Sequence, residues 1–205
     1  MTFAKVIPLA FVMIAGPQIL SAIFLATSEN WRKNSAAFVA GAALSVTTIV
    51  TLGFLLATGA RDQGASNTTL DIIIIVLLVA AAIHTFLTRK TSKPPTWMGR
   101  LEEAKPKGSF KLGFLLLGVF PTDILTSIAV GSTVARNDDA WWAILPFVVT
   151  TLLFLALPSL FLLIVGERAQ KALPKVRDWM NDNSWVISEI VFGLFIVLTA
   201  NSLMG

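Results

Sequence analysis

The sequence predicts an all-α integral membrane protein of six transmembrane helices, arranged as two inverted three-helix repeats. Three observations predict it: six long apolar stretches, a shortage of charge, and basic residues gathered between alternate stretches. The 205-residue chain is 55% hydrophobic and 14% charged, whereas a soluble domain carries about a quarter charged residues. Its mean hydropathy is +0.77, and the apolar stretches match the roughly 20 helical residues that cross a hydrocarbon core of about 30 Å.

The first span runs from Val6 to Thr27. Lys5 ahead of an apolar run resembles a signal peptide, but the run continues past Gly16 and Pro17 without a small-residue cleavage site, so a retained helix is expected. The second span runs from Ala36 to Thr58 and carries Ala37, Gly41 and Ser45 at four-residue spacing, which lets a neighbouring helix approach closely. The third covers Leu70 to Thr88. The fourth runs from Leu112 to Val134, the fifth from Ala143 to Val165, and the sixth from Trp185 to Met204.

Counting basic residues on the two sides gives the orientation. One side receives Lys5, Arg61 and Arg136. The other receives Arg32 and Lys33, then Arg89, Lys90, Lys93, Arg100, Lys105, Lys107 and Lys111, then Arg168, Lys171, Lys175 and Arg177. The richer side is expected in the cytoplasm, which leaves both termini extracytoplasmic in a multi-pass plasma-membrane protein. The sequence pI near 9.7 is thereby assigned to anionic lipid headgroups, and no nucleic-acid partner is expected. Trp97, Met98 and Leu101 among the charges of the central loop suit a short interfacial helix, and Trp141, Trp142, Trp179 and Trp185 suit membrane anchoring.

Three spans on each side of one central loop form halves that cross in opposite senses. The expected division is residues 1–88 for the first repeat, 89–111 for a cytoplasmic basic loop, and 112–205 for the second repeat. Pro17-Gln18-Ile19-Leu20-Ser21 is echoed by Pro121-Thr122-Asp123-Ile124-Leu125-Thr126, and Val46-Thr47-Thr48 by Val149-Thr150-Thr151, all at nearly one offset. A proline has no N–H to donate and its ring clashes with the preceding turn. Pro17 and Pro121 are therefore expected to break the first and fourth helices near mid-membrane. Paired interruptions in inverted halves point to a binding site at the repeat interface.

Asp123 is the one carboxylate near the centre of any span. A charge there costs roughly 2.5–3.5 kcal/mol, which makes it a functional candidate. Gln18, Ser21, Thr47, Thr48, Thr122, Thr126, Thr150 and Thr151 are expected to supply the rest of a polar cavity, and His84, the sole histidine, is a candidate proton relay. The alternatives are structural kinks at the prolines, a protonated Asp123 acting as helix glue, and a packed, hydrogen-bonded His84. With no cysteine, the chain has no disulfide, thiolate metal site or dithiol chemistry. No nucleophile-base-orienter set, metal-ligand spacing or phosphate loop is present, so neither an enzyme nor a cofactor is expected.

The segment Pro95-Thr96-Trp97-Met98 through Lys107, with the later Phe120-Pro121-Thr122-Asp123-Ile124-Leu125, resembles the centre of the sulfolipid-addressing and glycopeptidolipid-addressing family of the LysE superfamily. Gly16-Pro17-Gln18 through Arg32-Lys33-Asn34-Ser35-Ala36-Ala37-Phe38 resembles its first repeat, and Arg177-Asp178-Trp179-Met180-Asn181-Asp182-Asn183 its end. Many relatives carry a polar residue before the fourth-span proline and a lysine after it, whereas here Phe120 precedes and Thr122-Asp123 follow.

The resemblance implies export or flipping of a polar lipid or lipid-linked glycan, and the wider superfamily implies export of amino acids, cations or other small solutes. The leading expectation is a lipid exporter coupled to protons through Asp123 and His84, its partners being membrane lipids and a lipid or lipid-linked substrate. A LysE-type exporter of a small solute and a non-transporting subunit of a lipid-export complex stand as alternatives. So small a transporter is also compatible with a homodimer.

Overall fold

Prolines, glycines and polar turns decide where the helices begin and end. The computed structural model describes residues 3–62 and 104–183. In chain order these form α1 (Phe3–Ile14), α2 (Pro17–Ala26), α3 (Trp31–Asp62), α4 (Pro106–Val119), α5 (Pro121–Arg136), a 3-10 turn η1 (Trp141–Ile144), α6 (Leu145–Val165) and α7 (Glu167–Asp182). No strand occurs among the described residues. The third and sixth spans, His84 and the central loop as far as Glu103 lie outside them.

Two helices are long and apolar enough to cross a membrane, Trp31–Gly59 and Trp141–Val165. Two bent pairs qualify if each pair counts as one span, α1 with α2 at 72° and α4 with α5 at 70°. The described part thus holds two to four candidate spans, at the places expected for the first, second, fourth and fifth. α3 is longer than the sequence implied. Its 32 residues extend about 48 Å at 1.5 Å per residue, so the polar Trp31–Ser35 turn continues the helix beyond the hydrocarbon. α4 likewise starts at Pro106 rather than Leu112, because proline suits the first position of a helix.

α3 packs along both α4 and α5, and α6 packs along both α1 and α2. Each bent pair therefore lies mainly against a straight helix from the other half of the chain. Glycines set the first of these crossings. A Cβ on Gly41 would overlap the backbone of Phe110, and one on Gly131 the backbone of Val50, so no larger residue fits without separating the helices. Around the crossings, Met13, Leu25, Phe38, Leu117, Phe147 and Leu155 are fully or almost fully buried and form one core.

α6 ends at Gly166, whose φ of 62° turns the chain into α7. That left-handed conformation is open to glycine at no steric cost. α7 is amphipathic: Ala169 and Leu173 pack on Ile23, Ala26 and Leu162, while Arg168, Lys171 and Lys175 stay exposed. The Arg177 guanidinium lies 4.8 Å from the centre of the Phe24 ring. This helix ties the end of α6 to the C-terminal half of α2.

Candidate functional site

Each break has a local cause. In the first span, Pro17 cannot donate to the carbonyl of Met13, and Gly16 takes φ 119° and ψ −139° to redirect the chain. Pro17 then becomes the first residue of α2. In the fourth span, Pro121 cannot donate to Leu117. Phe120, in front of the proline, is pushed to extended backbone at φ −65° and ψ 124°, and α5 starts anew.

The first turns of the restarted helices carry similar back-bonded hydroxyls. Ser21 Oγ donates to the carbonyl of Pro17 at 2.6 Å, and Thr126 Oγ1 to that of Thr122 at 2.8 Å. Both hydroxyls point back along their own first turn, which spares them an unpaired proton in apolar surroundings.

The two restarts meet. Gln18 Nε2 donates to Asp123 Oδ2 at 2.6 Å across 105 residues of sequence. Both side chains are 2% exposed. Thr122 Oγ1 approaches Asp123 Oδ1 at 3.4 Å. Asp123 stands in the first turn of α5, where the partial positive charge of a helix N-terminus favours a carboxylate. Close by, Ser127 Oγ lies 3.9 Å from Met13 Sδ, which joins the second half of the broken fourth span to the first half of the broken first span.

Two further buried polar atoms belong to this region. Gln18 Oε1 has no hydrogen-bond partner, and it lies 3.4 Å from where a Cβ on Gly16 would stand. Ser45 Oγ is also without a partner, and a Cβ on Gly118 would come within 2.6 Å of it. Ser45 thus sits against the last turn before the Phe120 break. In the sequence Ser45 is marked only as a small residue of a packing stripe. A hydroxyl at mid-span beside glycines was the available signal.

The remaining candidates are placed differently. Thr48 is exposed and donates to the carbonyl of Leu44 at 2.7 Å, while Thr151 is buried and donates to that of Phe147 at 2.9 Å. Thr47 and Thr150 are half-buried. None of these four is hydrogen-bonded to Gln18 or Asp123. Pro121 and Thr122 are exposed beside the buried Asp123. His84 lies outside the described residues, and no group of three or more metal-ligating side chains occurs among those described.

The geometry gathers a carboxylate, an amide and two interrupted backbones inside an apolar helix bundle. Such a junction can receive a polar or charged group while the flanking helix faces remain apolar.

Among known proteins, no curated protein and no solved structure matches the chain. A family model does, described as Sap, sulfolipid-1-addressing protein, and the match covers residues 6–204. The family and the apolar helices together indicate a membrane-associated role in lipid export. By a match that spans nearly its whole length, the chain belongs to the Sap, sulfolipid-1-addressing protein family.

Proposed function

We propose that this protein exports or flips a polar lipid or lipid-linked glycan across the plasma membrane, with Asp123 coupling the movement to protons. The observation that carries the reading is the buried bond between Gln18 and Asp123, which joins the two helix breaks. A headgroup would cross at this junction while its acyl or polyprenyl tail stays in lipid.

The packing supports two inverted repeats. Each broken span lies chiefly against the straight span of the opposite half, α1 and α2 against α6, and α4 and α5 against α3. Exchange of partners of this kind lets one half rock against the other around a fixed site. The exposed basic residues of α7 suit the cytoplasmic face, where anionic headgroups are abundant. Coupling follows from cost: an ionised Asp123 is expensive at mid-membrane, so proton binding changes the energy of moving the site from one face to the other.

Proteoliposomes reconstituted with the full chain and a fluorescent lipid test the proposal. Lipid should reach the opposite leaflet faster than in empty vesicles, and a pH gradient should change that rate. Asp123→Asn should abolish the response to the gradient. Equal rates for parent and variant under every gradient would remove the coupling role, and no flipping of any lipid would remove the transport reading.

A further inference from the structure

The junction is rich in acceptors. Among the described residues Asp123 is held only by Gln18 Nε2 at 2.6 Å and by Thr122 Oγ1 at 3.4 Å, the second too long to be strong. No cationic side chain pairs with it among the described residues. Next to it, the buried amide oxygen of Gln18 has no donor and is turned toward Gly16. The carbonyl of Met13 has lost its usual donor to Pro17, and it belongs to the last turn of α1, where a helix is partially negative. A carboxylate and an amide oxygen without a donor therefore stand together where the two breaks meet, and the freed carbonyl precedes the first of them in sequence.

Buried acceptors without donors are costly, and an uncompensated carboxylate more so. An anion would add a second negative charge to the first. A positively charged group cancels the charge and gives every acceptor a partner. Two interrupted helices meeting at mid-membrane supply such oxygens in other transporters, where unwound backbone and helix C-terminal ends hold ions.

We propose that the Gln18–Asp123 junction is a monovalent-cation site, filled by an alkali ion or by the ammonium group of an amphiphile. The acceptor set is Asp123 and Gln18 Oε1, and a proton on Asp123 excludes the cation. The inference deepens the transport reading above and rests on it for its direction: cation leaves as proton enters, one charge for one charge. A loaded or protonated site is neutral and crosses, while an empty ionised site does not.

Among the described residues the competition belongs to Asp123, because the other ionisable residues of the elements around it stand in sequence at the helix ends. α2 and η1 carry none. On the remaining elements packed around α5, α1 has Lys5 near its start, α3 has Arg32, Lys33, Arg61 and Asp62 at its ends, and α4 has Lys107 and Lys111 in its first six residues. On α5 itself Arg136 closes the last turn.

The test is the melting temperature of the purified full chain in detergent, titrated with sodium, potassium or methylammonium chloride. N-methylglucamine chloride holds the ionic strength constant. At least one cation should raise the melting temperature saturably, and its half-saturating concentration should rise as the pH falls. Asp123→Asn, which keeps the side chain's shape, should weaken the response at least tenfold while still unfolding cooperatively, and Gln18→Leu should weaken it about threefold. A response to methylammonium alone assigns the site to a headgroup ammonium, and a response to sodium or potassium assigns it to the free ion. No response to any cation, or an equal one in Asp123→Asn, overturns the cation site. If labelled lipid still flips in that case, the transport reading stands without it; if a cation binds and no lipid flips, the site stands and the transport reading falls.

Discussion

Gly41 of α3 and Gly113 of α4 face one another across a helix crossing so close that a methyl on either would overlap the opposite backbone. The atoms in the way are the Phe110 carbonyl for Gly41 and the Phe38 carbonyl for Gly113. Gly53 and Gly131 repeat the relationship where α3 crosses α5, on the far side of the break. Both halves of the broken fourth span are thereby held against one straight helix, and the bend at Phe120 and Pro121 is held between the two crossings.

Gly113→Ala and Gly131→Ala should each destabilise the fold by about 1–3 kcal/mol, because backbone atoms cannot turn aside as a side chain can. Thermal unfolding in detergent measures this. Gly108→Ala serves as the control, since a Cβ there meets nothing within 4 Å, and it should be neutral or slightly stabilising in a helix.

Gly16→Ala should cost on the order of 1–3 kcal/mol for a different reason. Its φ of 119° is strained for any residue with a Cβ, although the space around it is adequate, with Gln18 Oε1 at 3.4 Å. The loss should appear in thermal unfolding, and Gly16→Asn should not recover it, because ψ −139° lies outside the left-handed region that asparagine tolerates.

Gln18→Leu should destabilise by about 1.5–3 kcal/mol, since it removes the main donor to a buried carboxylate. In an Asp123→Asn background the same change should cost less, because a neutral amide needs that donor less. A double-mutant cycle of unfolding free energies reads the difference directly. Additive losses would mean that the 2.6 Å bond contributes no coupling.

Asn34 is fully buried, and its Nδ2 donates to Ser28 Oγ and to the carbonyl of Ala104, each at 2.8 Å. It fastens the approach to α4 onto the turn between α2 and α3. Asn34→Ala should release that approach and speed tryptic cleavage at Lys107 several-fold, with a loss of about 1–3 kcal/mol for the buried groups left unpaired. Unchanged cleavage would show that the clasp is not needed to hold the segment.

The breaks were legible in the sequence because proline acts locally. Pro17 and Pro121 interrupt their helices wherever those helices pack, and Asp123 stands out because charge is rare in a span. The bond from Gln18 to Asp123 was not legible, since both residues could be named as candidates but their pairing depends on how helices 105 residues apart are brought together. The threonine candidates illustrate the opposite error. Thr48 and Thr151 look like cavity-lining groups in a sequence, yet a hydroxyl in apolar surroundings satisfies itself on the carbonyl four residues back, as both do. Ser45 was hidden by its size, which suits close packing as well as it suits a polar site. The small-residue stripe was read correctly at Gly41, where spacing and steric bulk are the whole story.

Translocation at this junction requires the two broken spans to meet, and cross-linking in the membrane measures that directly. The chain has no cysteine, so Met13→Cys with Ser127→Cys introduces the only thiols, at positions whose side chains now stand 3.9 Å apart. A short bifunctional thiol reagent should join them within one molecule in native membranes, and protease cleavage in the central loop should then leave the two halves connected. Halves that separate, with both thiols free and reactive, would contradict the account.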